Sequence, residues 1–85
     1  MFTKGMVFTL KNFKIKDYKE AYYIVKDFTE TGSIIATCLF ENHKGEIVNA
    51  KEKKHVEMTQ EHIKTIGYTV IDDNRLLTRL AFWMI

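Results

Sequence analysis

Apolar and polar positions alternate from the first residues of the chain. Across 6–10, Met6, Phe8 and Leu10 fall on one side and Val7 and Thr9 on the other, the period of a half-buried strand. Residues 18–28 carry two patterns at once. Asp17 and Glu20 have capping-box spacing, and Tyr18, Ala21, Tyr22, Val25 and Phe28 recur at helical intervals. Against this, Tyr22-Tyr23-Ile24-Val25 is aromatic and β-branched, and Thr29-Glu30-Thr31-Gly32 reads as a hairpin loop into the next strand. The strand reading over 21–28 is preferred, with a helix over 18–28 as the alternative.

Residues 34–40 are apolar on both faces, which predicts a central strand. The polar loop Glu41-Asn42-His43-Lys44-Gly45 turns the chain back through 46–50, completing a three-stranded meander. After a charged run, 55–58 alternates as a short strand. Thr59 then reads as an N-cap, Glu61 suits the positive first turn, and Gly67 stands where a glycine stops a helix, so 60–66 is a two-turn helix. Residues 68–71 read as a strand, 72–74 as a turn and 75–85 as a last strand. The expected class is α+β, mainly antiparallel β: a small curled sheet or SH3-like barrel with one short helix and a C-terminal β-hairpin. A first helix at 18–28 would make it a split-βαβ sandwich instead.

With 85 residues, room exists for one core, so 1–85 is read as a single domain. Apolar residues make up 46% and charged ones 28%, the mix of a folded chain and not of a disordered one. Cys38 is the sole cysteine, which rules out an intrachain disulfide and suits a reducing cytoplasm. The first residues lack the apolar core and cleavage site of a signal peptide, so export is not expected. The apolar stretch 76–85 contains Arg79 and is far short of the roughly 20 residues of a membrane span.

The net charge of +2 hides an uneven layout, with +4 in residues 1–19 and −3 in 20–47. Lys11, Lys14, Lys16 and Lys19 are interleaved with Phe13, Tyr18, Tyr22 and Tyr23. Ammonium groups on phosphates beside aromatic faces for unpaired bases are the means of sequence-tolerant RNA or single-stranded DNA binding. Lys51, Lys53 and Lys54 beside His55 would widen that surface if the fold joins the two clusters. Spaced lysines are also an ordinary solvated face, and 11 Lys against 2 Arg argues against base-specific reading.

Catalytic chemistry finds little support. Cys38, His43, His55 and His62 lack the close-pair spacing of zinc ligands, so no metal and no cofactor is expected. Cys38 sits in the most apolar run, where a nucleophilic thiolate is disfavoured, and Asp72 and Asp73 read as a hydrated turn. Glycine-rich phosphate loops and hydrolase motifs are absent from the sequence.

The last ten residues are different. As a strand they would be apolar on both faces, with Leu77, Phe82, Trp83 and Ile85 among the exposed candidates for a homodimer or partner interface. The sequence therefore reads as a small non-enzymatic interaction module. Its size and codon-biased composition are in the style of phage or mobile-element accessory proteins that bind and inhibit a host protein. The alternative is the RNA or single-stranded DNA binder, and no membrane partner is expected.

Overall fold

A computed structural model describes residues 1–11, 17–49 and 55–81. Among these residues, six strands form one mainly antiparallel sheet, and two short helices accompany it. In chain order these are β1 (Val7–Leu10), β2 (Glu20–Phe28), β3 (Ile34–Glu41), β4 (Ile47–Asn49), β5 (His55–Met58), α1 (Gln60–Ile66), β6 (Tyr68–Val70) and α2 (Asn74–Ala81). The sheet runs β4-β3-β2-β1-β6, and β5 also pairs with β3.

The ambiguous segment 18–28 resolves as strand. Its aromatic and β-branched run occupies the middle of the sheet, where 21–25 are buried on both faces. β2 and β3 pair from Glu20↔Glu41 to Phe28↔Ile34, with a register shift between Val25 and Asp27 that inserts Lys26 as a bulge. β4 and β5 lie end to end on the outer edge of β3: Leu39 faces Asn49 and Thr37 faces His55.

Strand alternation sends neighbouring residues to opposite faces, and each face has its own apolar cluster. On the first, Phe8, Ala21, Tyr23, Val25, Ile34 and Ala36 gather around Phe2 and around Ile63 of α1. On the second, Val7, Tyr22, Ile24 and Leu39 gather around Leu80 of α2. Each face thus carries one helix. A barrel would need the sheet to close around a single interior, and the sheet here is open and uncurled, with the helices in place of that closure.

The helix at 60–66 forms where its caps predict. The Thr59 hydroxyl accepts the His62 backbone N–H at 3.1 Å, and Gly67, at φ 94°, returns its N–H to the Ile63 carbonyl. That turn starts β6 beside β1. α1 thereby carries the chain from the β5 edge of the sheet to the opposite edge.

The C-terminal hairpin is not formed among the described residues: 75–81, expected as part of a strand over 75–85, belong with Asn74 to helix α2. The Asp73 carboxylate accepts the Arg75 backbone N–H at 2.9 Å, an N-cap in the residue that sequence reading assigned to a hydrated turn. Helical geometry also solves the problem of two apolar faces. Leu76, Leu77 and Leu80 fall on one side of a helix and pack on the sheet, leaving Arg75, Thr78 and Arg79 exposed.

Candidate interaction surface

Two concavities border α1. The first, of about 400 Å³, is lined by Thr31, Gly32, Ser33, Thr59, Gln60 and Glu61. Much of its polar chemistry is spent within the fold. Gln60 donates to the Gly32 carbonyl at 2.7 Å, the Ser33 N–H donates to the Thr29 hydroxyl at 3.0 Å, and the Thr59 hydroxyl caps α1.

The second is an apolar groove of about 490 Å³ on the first face of the sheet. Leu10 of β1, Tyr23 of β2, and Val56, Glu57 and Met58 of β5 line it, with Thr59 and, from α1, His62 and Ile66 on its flank. α1 spans only two turns and seats Ile63 on the sheet, so it leaves this neighbouring surface open. Ile66 is 37% exposed, whereas Ile63 on the same helix is fully buried. The sequence held one sign of the groove: Val56 and Met58 alternate with His55 and Glu57, and only the former pair turns toward the core.

Tyr23 and Cys38 are register partners next to this groove. Burial pushes the Cys38 thiol up to about 11, against a smaller downward pull from its hydrogen bond with Tyr23. Burial first, and then the neighbouring Cys38, raises the Tyr23 phenol well above its usual range. Neither group is poised to ionise as a nucleophile or base at neutral pH.

The second face holds a buried polar network. The Tyr22 hydroxyl donates to Glu41 Oε1 at 2.9 Å, and Arg79 Nη1 stands 4.0 Å from Glu41 Oε2. The other terminal nitrogen of Arg79 donates to the Gly45 carbonyl, fastening α2 to the β3–β4 loop. Within that loop, Asn42 Oδ1 accepts the backbone N–H groups of Lys44 and Glu46 at 3.0 and 2.9 Å. This network is structural in its contacts: each polar partner is another part of the same fold.

The lysine clusters are described only at their anchors. Lys11 is exposed and its N–H donates to the Gly67 carbonyl at 2.9 Å; Lys19 is exposed and its N–H donates to the Glu41 carbonyl at 2.7 Å. Both stand at the end of the sheet where β2 begins and β3 ends. Tyr18 is half-buried and stacks on Phe40, with ring centroids 4.6 Å apart and planes at 19°. Of the second cluster only His55 is described, paired with Thr37 on the outer edge of β3. Lys14, Lys16, Lys51, Lys53 and Lys54 lie outside the described residues, as do Phe82, Trp83 and Ile85. Leu77 is half-buried against the second apolar cluster.

The histidines and the cysteine do not converge. His43 is exposed in the β3–β4 loop, His55 Nδ1 lies 3.1 Å from the Thr37 hydroxyl, and His62 flanks the groove. Among the described residues, no group of three or more His, Cys, Asp or Glu side chains is placed to hold a metal ion. Among the same residues, no helix is long and apolar enough to cross a membrane. No protein-family model, curated protein or solved structure matches the chain.

Proposed function

We propose that this protein is a non-enzymatic interaction module that takes an apolar side chain of a protein partner into the groove between α1 and β5. The supporting observation is the groove itself: a concavity floored by Leu10, Tyr23, Val56 and Met58 and flanked by a half-exposed isoleucine. Concave apolar surface of this kind, with few polar groups, is where proteins bind ligands and the anchor residues of partners. Occupying a host protein's surface in this way is also how so small a chain would inhibit it. Affinity capture from the source cells with wild type, Ile66→Glu and Met58→Lys tests the reading. The expected result is a polypeptide retained by wild type and lost with both variants; equal retention by all three overturns it.

A second reading, sequence-tolerant binding of RNA or single-stranded DNA, is supported by the clustering of Lys11, Lys19 and the Tyr18–Phe40 stack at one end of the sheet. Phosphate neutralisation weakens steeply with salt, so labelled single strands titrated over a salt series report it directly. Binding at low salt that survives Lys14→Glu combined with Lys16→Glu, or no binding at all, removes this reading.

A further inference from the structure

We infer that β5 is a self-complementary sheet edge that pairs antiparallel with β5 of a second copy, about a two-fold axis at Val56. β5 hydrogen-bonds to β3 on one side, and among the described residues no strand pairs with its other side. An open edge presents unsatisfied backbone donors and acceptors and is a template for another strand. The approach is clear on the first face, because α1 leads from Thr59 inward across the sheet toward β6 and away from this edge.

The side chains select the register. A two-fold axis normal to the sheet keeps the first faces of both copies on one side, so residue i must face a residue of the same parity. Centring on Glu57 would set two carboxylates opposite one another, and like charges in direct cross-strand pairs are destabilising. Centring on Val56 instead pairs His55 with Glu57 of the second copy, twice over, and packs Val56 against its counterpart. His55 and Glu57 are both exposed and lie on the same face of the strand, whereas Val56 and Met58 are half-buried on the other. His55 Nδ1 is already engaged by the Thr37 hydroxyl at 3.1 Å; with that hydroxyl donating to Nδ1, Nε2 carries the ring proton and is the atom left to donate to the opposing carboxylate. Because Val56 and Met58 also line the apolar groove, the axis sets the grooves of the two copies side by side. The pairing does not depend on what the grooves hold.

Sedimentation velocity from low micromolar to submillimolar concentration tests this, with far-UV circular dichroism to verify the fold of each variant. Wild type is expected to pass from monomer to dimer. Glu57→Lys and His55→Glu are each expected to weaken the dimer by about tenfold, and the charge-swapped double variant to recover it. Mild oxidation of Val56→Cys should yield a disulfide between the two copies at position 56. A wild type that stays monomeric throughout overturns the inference. So do single variants that dimerise like wild type, a double variant that folds without recovering, or oxidation that links the copies only through Cys38.

Discussion

Tyr22 donates a buried 2.9 Å hydrogen bond to Glu41, from near the start of β2 to the last residue of β3. Glu41 is 8% exposed, and its carboxylate is held by Tyr22 on one oxygen and approached by Arg79 on the other. Burying a charge is costly unless it is hydrogen-bonded, so this bond is worth more than its surface equivalent. Tyr22→Phe is therefore expected to destabilise the fold by ~1–3 kcal/mol in denaturant unfolding. Replacing Glu41 by Leu in the Tyr22→Phe background should cost less than the two single changes added, because the stranded carboxylate is gone. Additive losses would contradict the account.

Leu80 is fully buried beneath α2 and is the central contact of the second face. Leu80→Ala should cost ~2–5 kcal/mol through lost burial and the cavity left behind. Thr78→Ala, on the exposed side of α2, should change stability by less than about 0.5 kcal/mol. Thermal or denaturant melts read both, and equal effects would contradict the packing of this helix.

These two contacts also mark where sequence reading succeeded and where it stopped. The strand at 34–40 was legible because its apolar residues leave no wet face, which only a central strand tolerates; the strand at 21–28 was the preferred of two readings, on its aromatic and β-branched run and the hairpin loop after it. Helix 60–66 was legible because Thr59 and Gly67 cap it locally. Residues 75–81 were misread as part of a strand because a short apolar-rich run fits a strand and a helix alike. The deciding signal was Asp73 as an N-cap, followed by Leu76, Leu77 and Leu80 on one helical side. Of the groove, only the Val56 and Met58 alternation was visible. Its other walls come from β1, β2 and α1, and their meeting depends on the crossover from β5 to β6, which no local pattern encodes.

Burial holds the phenols of Tyr22 and Tyr23 above their usual range, aided for Tyr22 by its bond to Glu41 and for Tyr23 by Cys38. The folded state thus favours the neutral phenol, so this stability is fully present below the unfolded value of about 10 and is lost as pH rises beyond it. Absorbance at 295 nm should show these two tyrosines ionising only with alkaline unfolding. The late step should shrink in Tyr22→Phe. Full ionisation of a still-folded chain near the ordinary value would contradict their burial.

The Cys38 thiol, raised to about 11 by burial, is protonated at neutral and mildly alkaline pH. Its reaction with a thiol-specific disulfide reagent at pH 8 should be slower by an order of magnitude or more in the native chain than in denaturant. The folded state favours the neutral thiol, so its contribution to stability fades as pH climbs past the unfolded value of about 8.5. Equal native and denatured rates would place the thiolate in solvent.

In the proposed mode of action, partners meet the first face, at the groove beside α1, while α2 covers the second. Site-specific photo-crosslinking inside the source cells compares the two directly, with the photoreactive residue at Ile66 in one variant and at Thr78 in the other. The account predicts a discrete adduct from position 66, heavier or lighter than a self-dimer, that is absent from position 78 and lost when Met58→Lys is added. An adduct from position 78 alone, equal adducts from both positions, or none from position 66 would contradict it.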